Sequence, residues 1–121
     1  MLFRSFNTAV GQGAASSNTT GVQNSIFGDN AFVTNTTGSY NSAFGRGALN
    51  ANTSGGNNTA IGQFALVSNT TASNNTAVGY QAGYSNAVSS YNTFIGINAG
   101  YSYNGASANT FNTFVGAGAG Y

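Results

Sequence analysis

Only three side chains in this 121-residue sequence carry a formal charge, Arg4, Asp29 and Arg46, and His, Cys, Lys and Glu are absent. General acid–base catalysis needs an imidazole or carboxylate tuned to the working pH. A Ser or Thr nucleophile needs such a base beside it, and a metal site needs several thiolate, imidazole or carboxylate ligands. One carboxylate supplies none of these sets. The composition therefore argues against an enzyme and leads us to expect no catalytic, metal or cofactor-binding residues. A net charge of +1 offers no basic face to displace counterions from nucleic acid. No apolar run approaches the ~20 residues of a membrane-spanning helix, so membrane insertion is not expected. With no Cys, the redox compartment is unread. The opening Met1–Phe6 is too short and interrupted for a signal peptide. The expectation is a segment of a longer protein, another export route or a leader already removed.

What the chain has in abundance is amides and hydroxyls, and they keep a period. The phrase Asn-(Thr/Ser)-x-(Val/Ile/Phe)-Gly begins at Asn7, Asn24, Asn41, Asn58, Asn75, Asn92 and Asn112. The steps are 17 residues until the last, which is 20. An Ala follows each closing Gly by three positions, at Ala14, Ala31, Ala48, Ala65, Ala82, Ala99 and Ala119. Disordered polar tracts have no reason to hold phase in this way. A short fixed period with no helix-length segment marks one small unit stacked many times. The fold expected is all-β, a parallel β-solenoid or β-roll of about seven 17-residue coils. Residues 1–6 are read as a lead-in and 7–121 as one repeat domain.

Number the repeating Asn zero. Position one is always Thr or Ser, and position three is Val10, Phe27, Phe44, Ile61, Val78, Ile95 or Val115. Alternation places one and three on the same side of a strand. The larger apolar residues at position three are read as the buried core column. On that reading Ile61→Asp would bury a carboxylate at a cost of several kcal/mol. Position two is Ala9, Ile26, Ala43, Ala60, Ala77, Phe94 or Phe114, and is read as an outward stripe for self-association. Gly at position four ends the strand, by positive φ or close backbone approach. A second run ending in Asn18-Thr19-Thr20 and its equivalents is read as a second short strand, giving two strands and two turns per coil. The extra residues of the 20-residue step are expected in a turn around 103–108.

Asn7, Asn24, Asn41, Asn58, Asn75, Asn92 and Asn112 are expected to bond amide to amide as a ladder. Asn18, Asn35, Asn52, Asn57, Asn69 and Asn74 each open an Asn-x-Ser/Thr sequon. Asp29 and Arg46 share position five in adjacent coils, so stacking would pair them. Tyr84, Tyr101 and Tyr121 share position nine, where they form a packing ladder or a surface-contact stripe for carbohydrate.

The phrases Asn-Thr-Ala-Val-Gly-Gln-Gly-Ala (7–14), Asn-Thr-Ala-Ile-Gly-Gln-Phe-Ala (58–65) and Asn-Thr-Ala-Val-Gly-Tyr-Gln-Ala-Gly-Tyr (75–84) resemble head repeats of trimeric autotransporter adhesins. They are also similar to repeats of bacteriophage tail fibres. The resemblance implies a left-handed parallel β-roll, three rolls side by side, and a location at the cell surface, the virion surface or outside the cell. It also implies a head that binds host carbohydrate or protein. Adhesin head repeats are shorter than 17 residues, so the outer turn here must differ, and no stalk, neck or anchor pattern accompanies it.

The function expected is therefore a structural and adhesive block of an extracellular fibre, with itself as the main partner. Lateral packing as trimers is one mode. Axial stacking is the other, since the pattern starts by residue 7 and stops at Tyr121 without an obvious cap. The alternatives are an ice-binding face made from the Asn-Thr-Thr columns, which fail at Asn86-Ala87-Val88, and glycan binding by the Tyr stripe.

Overall fold

The computed structural model describes residues 5–105 and 109–121. Its seven strands are Thr8–Val10 (β1), Ser25–Phe27 (β2), Ser42–Phe44 (β3), Thr59–Ile61 (β4), Thr76–Val78 (β5), Thr93–Ile95 (β6) and Thr113–Val115 (β7). They form one parallel sheet in chain order, a β-solenoid of about six turns. Each residue pairs with its equivalent one coil later, as in Ala43↔Ala60 and Phe44↔Ile61. A period with fixed side-chain roles specifies this register, because a one-residue slip would reverse every face.

Among the described residues each coil has one three-residue strand, not two. The second run still bonds along the axis, with the Ala15, Ser17 and Thr19 N–H groups donating to the carbonyls of Ala31, Val33 and Thr36. Positions six and eight are left-handed, for example Phe64 (φ 59°) and Leu66 (φ 49°), and these corners prevent an extended strand there. Position four is Gly for both expected reasons. Gly45 has φ 134°, and a Cβ on it would collide with the carbonyl of Gly62 in the next coil.

The strand faces are the reverse of the sequence expectation. Position two points inward: Ile26, Ala43, Ala60, Ala77 and Phe94 are fully buried, Phe114 is half-buried, and Ala9 is exposed at the end of the stack. Position three points outward: Val10, Phe27, Phe44, Ile61, Ile95 and Val115 are exposed and Val78 is half-buried. Ile61 is 43% exposed beside Ala60 at 0%. The reason is volume. Position two shares the interior with position eight, where Leu49 and Leu66 are large and the strand offers Ala43 and Ala60. Where the strand offers Phe94 or Phe114, position eight is Gly100 or Gly120, and a Cβ there would strike the ring. So narrow a coil has no room for the position-three side chains as well.

The position-seven Ala is buried in the five inner coils and half-buried at Ala14 and Ala119. The lead-in residues Ser5 and Phe6 already follow the repeat, since the Ser5 carbonyl accepts the Gln23 N–H. The 20-residue step leaves the β6–β7 register intact, Thr93↔Thr113, so the extra length is not in the strand. Residues 106–108 of the expected bulge lie outside the described residues.

Candidate interaction surface

Two asparagine columns hold the coils together from inside. In the position-zero column, the Oδ1 of each Asn accepts the backbone N–H of the next, from Asn24 onto Asn7 (2.8 Å) through to Asn112 onto Asn92 (3.0 Å). The expected amide-to-amide contacts are the longer ones, 3.2 Å where present. The main work of this column is therefore to satisfy a buried backbone donor at the mouth of each strand.

The second column, at position eleven, is the true amide ladder. Asn35, Asn52 and Asn69 each donate Nδ2 to the Oδ1 of the previous Asn, at 2.6, 2.9 and 2.8 Å. In the coils beginning at Asn24, Asn41 and Asn58, the position-fourteen carbonyl accepts from both columns. Gly38 takes Nδ2 of Asn24 and Asn35, Gly55 takes Asn41 and Asn52, and Ala72 takes Asn58 and Asn69. A carbonyl oxygen has two lone pairs, and both are used.

This ladder stops at Asn69, whose Oδ1 is buried without a partner, as is the Oδ1 of Asn86. Position fourteen explains it. A Cβ at Gly55 would lie 2.5 Å from Asn52 Oδ1 and 2.9 Å from Asn69 Nδ2, between the two bonding amides. Ala72 carries that Cβ in the next coil, where the bond from Asn86 to Asn69 is missing, and Ser89 carries it in the coil after. One coil further the Asn itself gives way to Tyr103, whose hydroxyl accepts Nδ2 of Asn112 at 2.8 Å.

The outward strand face sets exposed apolar side chains beside hydroxyls. Its middle row is the hydroxyl column Thr8, Ser25, Ser42, Thr59, Thr76, Thr93 and Thr113, beside the position-three row, where the rings of Phe27 and Phe44 stack at 5.0 Å. A third row, immediately before each Asn, holds Phe6, Gln23, Tyr40, Asn57, Asn74, Tyr91 and Phe111, all exposed and all left-handed at φ 46–65°. Tyr91 and Phe111 stack at 4.9 Å. Parity alone could have indicated this face, because position three shares its side of the strand with a row that is always hydroxyl.

The remaining candidates lie elsewhere. Tyr84, Tyr101 and Tyr121 stack in series at 4.9 and 5.4 Å, so their ring faces are largely taken up by one another. Thr19, Thr36, Thr53 and Thr70 donate their hydroxyls to carbonyls of the next coil, which leaves Thr20, Thr37, Ser54 and Thr71 as a single exposed file ending at Val88. Arg46 Nε stands 3.7 Å from Asp29 Oδ2, an exposed pair that favours register more than stability.

Comparison with known proteins gives no match: no family model, curated protein or solved structure is significantly similar to the chain.

Proposed function

We propose that this chain is a structural, non-catalytic rod segment of an adhesive extracellular or virion-surface fibre, and that its outward strand face packs side by side against other copies, as trimers. The observation that carries the reading is the position-three row: large apolar side chains on seven consecutive strands, exposed on six of them and half-buried at Val78. Contiguous exposed apolar surface of this kind marks an interaction site. Three outward positions on each of seven coils give about 21 side chains, matching the ~20–30 residues per side of a standard interface. The near absence of charge removes the repulsion that keeps copies apart. The adhesin-like phrases support the fibre setting and the trimer. The stripe for association is thus position three with its flanking rows, in place of the buried position two.

Sedimentation velocity at micromolar concentration tests this. The wild-type chain sediments as an oligomer, and Phe44→Lys with Ile61→Lys, both on the outer face, sediments as a folded monomer. A wild-type chain that stays monomeric sinks the proposal. The ice-binding alternative is weaker, because half of its hydroxyls already bond within the coil stack. The glycan alternative is weaker because the Tyr rings occupy one another's faces.

A further inference from the structure

The fold sorts the six Asn-x-Ser/Thr sequons into two groups. Transfer of a sugar to Asn needs a reachable side-chain amide. Asn35, Asn52 and Asn69 are fully buried, and each donates Nδ2 to two acceptors inside the stack. Asn18 is half-buried and donates to the Gly21 carbonyl while accepting from Asn35. Asn57 and Asn74 differ in every respect. Both are exposed on the outer face, both are left-handed (φ 57° and 61°), and they take part in the stack only through backbone N–H groups bonded to Ser39 and Gly56. Their side chains are therefore free for chemistry that costs no fold stability. Thr59 and Thr76, the hydroxyl residues two places on, open β4 and β5 at the same face and stand half-buried.

We infer that Asn57 and Asn74 are acceptor sites for N-linked hexose, and that the other four sequons are closed in the folded chain. In the transfer, the amide nitrogen bonds to the anomeric carbon of a nucleotide-activated hexose. The bond from that carbon to the diphosphate oxygen breaks, the nucleoside diphosphate leaves with the electron pair, and the amide loses one proton to the transferase. The two Asn occupy equivalent positions just before β4 and β5, adjacent strands ~4.8 Å apart, so a hexose on one crowds the other and singly modified chains predominate. The acceptor assignment stands by itself. Its consequence rests on the proposed association: a polar sugar in the middle of the outer face opposes side-by-side packing.

The test incubates the folded chain, diluted below the concentration at which it associates, and separately the urea-unfolded and diluted chain, with a soluble N-glucosyltransferase and UDP-glucose, followed by peptide mapping by mass spectrometry. The native chain acquires hexose at Asn57 or Asn74, at least tenfold above any of the other four, and the unfolded chain acquires it at the others too. Asn57→Gln with Asn74→Gln removes the native modification. Hexose on Asn35, Asn52 or Asn69 of the native chain overturns the inference, as does a native chain left unmodified at both exposed sites. Sedimentation of the modified chain separates the two claims. If it still associates like the unmodified chain, the association face is wrong and the acceptor sites stand.

Discussion

Asn52 and Asn86 occupy the same repeat position and are both fully buried, yet replacing them with Ala has unequal consequences. Asn52 donates to Asn35 Oδ1 and the Gly55 carbonyl and accepts from Asn69. Asn86 makes one bond, to the Ser89 carbonyl, and its Oδ1 has no partner. A net hydrogen bond contributes about 0.5–1.5 kcal/mol, and a newly orphaned buried polar group costs about 1–3 kcal/mol. Asn52→Ala loses three bonds and strands Asn35 Oδ1, for a total of about 2.5–7.5 kcal/mol. Asn86→Ala loses one bond and strands nothing, because the Ser89 carbonyl keeps Asn75 and Asn92, for about 0.5–1.5 kcal/mol. Against the ~5–15 kcal/mol of a whole domain, the first change brings the chain close to unfolding and the second is mild. Urea denaturation followed by circular dichroism at one dilute concentration measures both. Equal losses, or a larger loss at Asn86, would refute the reasoning, since residue type, burial and repeat position are shared and only the bonding differs.

The position-fourteen account makes a reciprocal prediction. Gly55→Ala opens the Asn52–Asn69 bond and destabilises by about 1–3 kcal/mol, while Ala72→Gly lets Asn86 reach Asn69 and raises the urea midpoint despite the added chain entropy. A lowered midpoint for both would show that the Cβ is not what interrupts the ladder. On the strand, Ala60→Asp buries an unpaired carboxylate and should prevent folding or cost several kcal/mol, whereas Ile61→Asp leaves the dilute, folded chain within about 0.5 kcal/mol of wild type. The reverse order in thermal melts would restore the opposite register.

The period, the parallel stack, the closing Gly and the small Ala at position seven were legible in the residues, because each is a repeated steric demand. The inside and outside of the strand were not. Hydrophobic size favours Ile61 over Ala60 for the core, and the local sequence does not show that Leu66, six residues on, fills the space facing Ala60. The compensating signal is weak but present, in Gly100 and Gly120 opposite Phe94 and Phe114. The second Asn column shows in the sequence as sequons and as part of the Asn-Thr-Thr columns, not as an amide ladder. Its role depends on the position-fourteen carbonyl, a backbone group whose place no side-chain pattern reveals. Tyr103, standing where the ladder expects Asn, was likewise hidden by the longer step.

Thiol labelling of single-Cys variants tests the outward face and its proposed self-packing most directly, because the native chain has no Cys. Ala60→Cys, Ile61→Cys and Thr71→Cys place one thiol each in the core, on the packing face and on the exposed file of the outer turn. In dilute solution, Ile61→Cys and Thr71→Cys react with a maleimide at the free-thiol rate and Ala60→Cys is protected on the order of 100-fold or more. As the chain is concentrated, Ile61→Cys slows toward the buried thiol while Thr71→Cys does not change. Rapid labelling of Ala60→Cys, or labelling of Ile61→Cys that is indifferent to concentration, would contradict the account.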